Sequence, residues 1–316
     1  MKIVYVTGCC GFIGSYVTQH CLELGWRVIG VDKMTYASNP DLLQEFTQNP
    51  NFKFIRNDIN NLERLMDCDY IINTAAESHV DNSIVDSDAF IHSNVNGVHH
   101  LLKLILHKRH ALNMPTFLHF STDEVYGDIS SGQHFEFDLL KPSNPYSASK
   151  ASADMLVYAW GRTFNIPYVI VRPTNNYGIG QYVEKLIPKS IKHLGLNRPI
   201  HLHDNGKPVR TWLHADDTAR AITTIIESNV QNEIYNISGN TELPNKIVVQ
   251  AIINNYFDKD LTNDWGKYIG HISRPGQDIR YSVNDDKLKK LGWEATADFD
   301  EELYKITNYY KDNFVW

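Results

Sequence analysis

From residue 3 to residue 172, short apolar runs alternate with longer stretches of helical periodicity, and this alternation most restricts the fold. Consecutive strands separated by helices run parallel, and a parallel sheet needs helices on both faces. Ile3 to Thr7 reads as the first strand, Gly14 to Glu23 as the first helix and Arg27 to Asp32 as the second strand. Phe52 to Asn57, Tyr70 to Thr74 and Thr116 to Ser121 continue the strand series, with a helix from Asp88 to His107 before the last. Ser143 to Phe164 reads as another helix. Ala148, Ala151, Met155, Tyr158 and Ala159 recur near helical spacing, and Pro145 sits at its start, where a missing N–H costs nothing. Tyr168 to Arg172 is then a strand. From Thr174 onward Gly178, Gly180, Pro188, Pro199, Gly206, Pro208, Pro244, Pro275 and Gly276 break the chain into shorter pieces. The expected class is α/β, a doubly wound parallel sheet with a smaller, interleaved C-terminal substrate lobe.

Size and charge narrow the class further. The 316 residues suffice for about two domains at roughly 150 residues each, and the 42% hydrophobic content supplies a core. Disorder and a disulfide miniprotein are thereby excluded. A net charge of -7 gives no basic footprint for duplex nucleic acid, so no nucleic-acid partner is expected. Cys9, Cys10, Cys21 and Cys68 contain no C-x-x-C pair and read as reduced thiols of a cytoplasmic protein; no metal is expected. The strand-like start reaches Gly8 too soon for a signal h-region. No run of roughly 18 apolar residues follows, so no membrane partner is expected either.

The first strand runs into Thr7-Gly8-Cys9-Cys10-Gly11-Phe12-Ile13-Gly14, with glycines at spacing three and three just before a helix. A pyrophosphate needs close backbone approach and a helix N-terminus whose free N–H groups and dipole face the anion. Gly8, Gly11 and Gly14, with Phe12 and Ile13 at the helix start, offer both, although the spacing departs from G-x-G-x-x-G. Asp32 ends the second strand near the roughly 20-residue interval at which an acidic residue holds a ribose diol. Its charge repels a 2′-phosphate and favours NAD over NADP, a preference weakened by the adjacent Lys33. Asp58 and Ile59, after the third strand, are candidates to flank the adenine, with a helix cap as the competing role for Asp58. These features make the expected sheet Rossmann-type.

Tyr146 and Lys150 stand at i and i+4 on one helix face. An ammonium near a phenol favours the phenolate, so Tyr146 is expected to serve as a base for a hydroxyl proton. Ser121-Thr122-Asp123-Glu124-Val125-Tyr126-Gly127 lies just beyond a strand whose C-terminal end faces the cofactor in open parallel sheets. The adjacent carboxyl groups of Asp123 and Glu124 therefore stand where a substrate would meet them.

At these residues the chain resembles the extended short-chain dehydrogenase/reductase superfamily, and within it the nucleoside-diphosphate-glucose 4,6-dehydratases. The resemblance spans nearly the whole chain: DKMTYASN (Asp32 to Asn39), AAESHVDNS (Ala75 to Ser83), STDEVYG (Ser121 to Gly127), YSASK (Tyr146 to Lys150), NNYG (Asn175 to Gly178), EKLIP (Glu184 to Pro188) and RPG (Arg274 to Gly276). Related epimerases and uronate decarboxylases share the glycine turn and the Tyr-Lys pair, and are expected to lack consecutive Asp and Glu after that threonine.

The resemblance implies bound NAD, a dTDP-glucose or UDP-glucose substrate and a 4-keto-6-deoxy product. That conversion requires hydride removal at C4, loss of water across C5 and C6, and return of the hydride to C6. Tyr146 would take the C4 hydroxyl proton and Lys150 would hold the phenolate and nicotinamide ribose. Glu124 would remove the C5 proton, a protonated Asp123 would donate to the departing C6 hydroxyl, and Thr122 would bond the C4 oxygen. Lys33, Thr35, Ala75, Ser93 and Asn176 join the cofactor set by the same pattern. Asn175, Lys185 and Arg210 fall at diphosphate and sugar contacts, Leu186 and Asn245 at base or ribose contacts, Arg274 on the phosphate side, and Ser78 at the sugar. Gln277 stands where bacterial relatives usually carry His, and Cys9 and Cys10 where relatives often have Gly or Ala, which adds an oxidation liability. The implied organisation is an NAD-binding domain over 1–173 and a mainly nucleotide-sugar-binding lobe over 174–316. A homodimer is implied as well, with Leu101, Leu102, Ile105, Met155 and Tyr158 as candidate contacts. The weakly periodic stretch between Gly127 and Tyr146 reads as a lid, with Tyr146 displaced until substrate orders it.

Overall fold

The computed structural model describes residues 1–109, 114–273 and 278–313. Its strands are β1 (Ile3–Thr7), β2 (Arg27–Asp32), β3 (Phe52–Arg56), β4 (Tyr70–Asn73), β5 (Thr116–Phe120), β6 (Tyr168–Pro173), β7 (Asn175–Tyr177), β8 (Ile200–His203), β9 (Val209–His214), β10 (Glu233–Ile237), β11 (Thr241–Pro244) and β12 (Ile269–Ile272). The helices are α1 (Phe12–Glu23), α2 (Pro40–Phe46), α3 (Val80–Val85), α4 (Asp88–Phe90), α5 (Gly97–His107), α6 (Pro145–Phe164), α7 (Leu186–Gly195), α8 (Ala215–Glu227), α9 (Asn245–Phe257), α10 (Asp286–Lys289) and α11 (Phe299–Asp312).

The large sheet has the order β10-β6-β5-β4-β1-β2-β3, and every neighbouring pair is parallel. Alternation along each strand divides the core between two faces. Val4 and Val6 point to the face covered by α1 and α8, with Val17, Cys21, Ile222 and Ile225 packed beneath. Tyr5, Ile71, Phe117 and Ile170 point to the other face, against Leu101, Leu102, Ile105 and Val157 of α5 and α6. The chain therefore buries Leu101, Leu102 and Ile105 fully in its own core, which corrects their candidacy as dimer contacts.

After β6 the chain builds a second layer and also returns to the first. β7, β9 and β11 form a three-stranded sheet, and β8 pairs with β12. Their core gathers Ile187, Ile191, Trp212, Val249, Ile252, Leu303 and Ile306. α8 and β10 belong to the large sheet, so the lobe is interleaved with it, as the loosened alternation suggests.

The strand order reverses between β1 and β4, which places a crevice at their C-terminal ends. Gly8 follows β1 with φ of +71°, and a Cβ there would lie 2.9 Å from the backbone of Ala75, beyond β4. The expected Asp88–His107 helix is interrupted by a π-helical turn over Ile91–Asn96. That turn directs Asn94 inward, where its side chain accepts from the Glu77 N–H (2.9 Å) and donates to the Glu77 carbonyl (2.9 Å) and to Ser149 Oγ (2.9 Å).

Candidate active site

One cleft runs along the C-terminal edge of the sheet, and Gly8, Gly11, Phe12, Ile13 and Gly14 form one end of its lining. α1 begins at Phe12, two residues earlier than its periodicity indicates, so the unbonded N–H groups of its first turn open onto the crevice. A Cβ at Gly14 would lie 2.0 Å from the Gly8 carbonyl oxygen, so the turn tolerates no side chain there. Asp32 is held by three donors: the N–H of Cys10 (3.0 Å), the N–H of Met34 (2.7 Å) and Ser38 Oγ (2.9 Å). Lys33 donates to Ser93 Oγ (3.4 Å) and stands 3.6 Å from Asp58 and 3.8 Å from Glu77. Asp58 both lines the cleft and caps the short helix at Ile59, accepting from the Asn60 N–H at 2.9 Å. Thr35, Ile59, Ala75 and Asn176 line the same cleft.

Cys9 and Cys10 are buried, with their sulfurs 3.8 Å apart and within 4.8 Å of an Asp32 oxygen. The neighbouring thiol and burial push the Cys9 thiol far up, so it stays protonated and inert. The oxidation liability expected of the pair is thus offset by burial.

Beyond β5 the chain turns through a short 3-10 helix over Asp123–Tyr126, capped by Thr122, whose Oγ1 accepts from the Glu124 N–H at 3.3 Å. Asp123 is 3% exposed, and one of its carboxylate oxygens has no hydrogen-bond partner. Burial, then the Glu124 charge, push its carboxyl up to about 7 against the opposing pull of Arg210. Glu124 accepts from Asn144 Nδ2 (3.4 Å), and one of its oxygens lies 3.5 Å from the Tyr281 hydroxyl oxygen.

α6 starts where Asn144 accepts from the Ser147 N–H (2.9 Å) and Ser147 Oγ accepts from the Asn144 N–H (3.3 Å), a reciprocal cap. The Tyr146 N–H donates to Ser83 Oγ at 3.2 Å, and its hydroxyl is bonded to Thr122. Tyr146 is thus buried at the wall of the cleft beside Thr122. The preceding segment is tied down as well: Ile129 donates to the Arg280 carbonyl (3.0 Å) and His134 to that of Ser282 (2.9 Å).

The phenol also differs from expectation. Burial, and after it the Glu124 charge, push its proton affinity up rather than down. The reason is geometric, because the Lys150 ammonium donates to the Phe120 carbonyl of β5. Burial lowers the Lys150 ammonium to about 8, with Asp154 opposing.

Asn175 and Lys185 line the cleft on the lobe side, and Ser78, beyond β4, lines it opposite Lys185. Lys185 donates to the Ser78 carbonyl (2.8 Å) and Oγ (3.2 Å), and burial lowers its ammonium. Leu186, Arg210 and Asn245 are not among the cleft-lining residues. Leu186 opens α7, and Asn245 opens α9 with its N–H on the Pro208 carbonyl (2.9 Å). Arg210 lies over the Tyr281 ring at 4.3 Å and donates to the Asp278 carbonyl at 3.2 Å. Arg274 and Gln277 lie outside the described residues. Sequence reasoning missed Tyr281, Asn144 and Asp278. Their link to Glu124 comes only from the fold bringing residues 278–281 against the start of α6, where Ser143 Oγ and the Tyr281 hydroxyl both donate to Asp278.

A glycine turn at the reversal of a parallel sheet, facing a Tyr-Lys helix across one cleft, is the site of the short-chain dehydrogenase/reductase class. The family model described as GDP-mannose 4,6 dehydratase matches residues 5–306, and the chain belongs to that family. A probable dTDP-glucose 4,6-dehydratase of Sinorhizobium fredii is 39% identical over 99% of this chain and 94% of its own. A trifunctional UDP-glucose 4,6-dehydratase/UDP-4-keto-6-deoxy-D-glucose 3,5-epimerase/UDP-4-keto-L-rhamnose-reductase of Arabidopsis thaliana is 37% identical over 100% of this chain and 48% of that protein. Among solved structures, a double mutant of a dTDP-glucose 4,6-dehydratase from Streptomyces venezuelae with NAD bound superposes with a TM-score of 0.91 at 33% identity, covering 99% of this chain and 98% of that one.

Proposed function

We infer that this chain is a hydro-lyase that converts a nucleoside-diphosphate glucose to its 4-keto-6-deoxy form with bound NAD. The observation that carries the reading is the Asp123-Glu124 pair beside Tyr146 and Lys150, with Asp123 raised to about 7 and so able to hold a proton near neutrality. A 4-epimerase has no use for an acid and a base at C5 and C6. The glycine cradle that any Cβ would fill, and the acceptor at Asp32, fit a dinucleotide. NAD, when bound, supplies a reversible two-electron exchange with the sugar.

The chain's own groups do the rest. Tyr146 accepts the C4 hydroxyl proton, with Thr122 on the C4 oxygen. Lys150, one turn on, turns its ammonium from the Phe120 carbonyl toward the phenol, which favours the phenolate. With C4 a ketone the C5 hydrogen is acidic; Glu124 takes it while Asp123 protonates the leaving C6 hydroxyl. Gly8, Gly11, Phe12, Ile13, Gly14, Asp32, Lys33, Thr35, Asp58, Ile59, Ala75, Ser93 and Asn176 serve the cofactor, and Ser78, Asn175 and Lys185 the sugar diphosphate. Arg210 acts by its charge on Asp123, from behind the cleft wall. Residues 1–173 form the cofactor domain and 174–316 mainly the nucleotide-sugar lobe.

Glu124→Gln tests the separation of roles: on mixing with substrate it should form NADH transiently, with dehydration slowed about 100-fold to 10,000-fold. Turnover at the native rate would remove Glu124 as the C5 base. The exposed side of α6, with Met155 and Tyr158 49% and 43% exposed, supports a homodimer through that helix. Among the described residues no helix is long and apolar enough to cross a membrane. The four free thiols support a cytoplasmic location.

A further inference from the structure

The run from Asp32 to Asn39 carries a tyrosine, Tyr36, that the cofactor and sugar sets leave without a task. Its loop is held on both sides. Met34 and Ser38 donate to Asp32 Oδ1, the Thr35 N–H donates to Ser38 Oγ (3.1 Å), and the Asn39 N–H donates to the Cys10 carbonyl (2.8 Å). Met34 sits at φ of +60°, a backbone conformation that a side chain seldom adopts and that these bonds enforce. The turn packs Met34 against the core and leaves Tyr36 51% exposed. Thr35, Ala37 and Ser38 line the cleft, so Tyr36 stands at its rim.

The facing wall is the lobe segment after β7, which is equally well fixed. Tyr310 accepts from the Gly180 N–H (2.9 Å) and donates to the Gln181 carbonyl (3.0 Å), and Gln181 Nε2 donates to the Asn176 carbonyl (2.8 Å). The next residue, Tyr182, lines the cleft and meets the Tyr36 ring edge to face, with centroids 5.2 Å apart and planes at 69°. The Tyr36 hydroxyl is hydrogen-bonded to the Asn82 side chain of α3. One side chain therefore ties the loop after β2 to the helix after β4 and to the lobe. Lys185 on Ser78 is a second tie across the same cleft.

We propose that Tyr36, Tyr182 and Asn82 form a clasp that closes the cleft over the dinucleotide and retains it from one turnover to the next. The proposal rests on the reading of the cleft as an NAD site and deepens it. A cycle that returns its hydride to the sugar needs no exchange of cofactor, and a dinucleotide lost in its reduced form leaves the sugar stranded as a ketone. Tyr36 is a positioning residue: it acts through the lobe contact.

The protein loaded with ¹⁴C-labelled NAD and chased with excess unlabelled NAD gives the release rate on rapid gel filtration, without turnover. Tyr36→Ala and Tyr182→Ala should each release label about tenfold faster. Tyr36→Phe and Asn82→Ala, which keep both rings and break the hydroxyl bond, should do so about threefold. The double variant Tyr36→Ala with Tyr182→Ala should be no faster than the faster single one, because both lose the same contact. Uptake of NAD by Tyr36→Ala should be no slower than by the native protein. Release at the native rate in Tyr36→Ala, single effects that multiply in the double variant, or slowed uptake from a damaged site would each overturn the clasp. If Tyr36→Ala does not fold, Tyr36→Phe and Asn82→Ala carry the test, and native release in both would overturn it. Native protein that takes up no label would instead contradict the reading of the cleft, and the clasp with it.

Discussion

At the scale of single residues the site depends on keeping two adjacent carboxyl groups in different protonation states. Asp123 is held in the burial shadow of β5 with the Glu124 charge beside it, and its folded-state value of about 7 lies well above that of an unfolded aspartate, near 4. The sign of the stability effect follows from linkage. Between about pH 4 and pH 7 the folded chain binds more protons than the unfolded one, so Asp123 costs stability progressively as pH rises through that window, and the full cost is present above it. Asp123→Asn should therefore stabilise the protein relative to wild type more at pH 8 than at pH 5, at about 1.4 kcal/mol per unit of displacement. Urea midpoints at the two pH values read this directly, and an equal difference at both would show that Asp123 is not buried as an acid. Gly14→Ala acts at the same scale: a methyl 2.0 Å from the Gly8 carbonyl forces the turn open and should abolish NAD retention on gel filtration.

At the scale of elements the start of α6 joins structure to chemistry. Asn144 caps the helix, and its amide nitrogen reaches Glu124 at 3.4 Å. Asn144→Ala should cost about 0.5–2 kcal/mol in thermal unfolding and also lower kcat, whereas a purely structural cap would alter only the first. Much of this element was legible in the sequence, because Pro145 and the spacing of Ala148, Ala151 and Met155 mark a helix and put Tyr146 and Lys150 on one face. β1 and β2 were legible for a similar reason, being continuous apolar runs bounded by turns. What local pattern could not carry was the direction of the Lys150 ammonium, set by the β5 carbonyl, or the closure of Tyr281 on Glu124 from 157 positions away. The tethering of the segment before α6 was hidden likewise, since it depends on backbone pairing with residues 280–284. α2 and α3 are too short to show a clear period, and the π-helical turn answers to the Asn94 contacts rather than to propensity.

At the scale of the molecule, the large sheet and the interleaved lobe close on one cleft, with Lys185 reaching Ser78 across it. Met155 and Tyr158 on the outward side of α6 are half-exposed, and sedimentation at micromolar concentration should find twice the chain mass; a species of 36.3 kDa alone would reject the dimer. Thymine and uracil differ by one methyl, which a fitted apolar pocket reads at about 1–3 kcal/mol, so dTDP-glucose and UDP-glucose should both be used, within about 1000-fold of each other. The most direct measurement of the central claim is incubation of the purified protein with each of these nucleotides, followed by mass spectrometry of the product. The account predicts a product lighter by one water with the nucleoside diphosphate intact and no net consumption of NAD. Recovery of an isomer of unchanged mass, or of unaltered substrate with NAD bound, would contradict it.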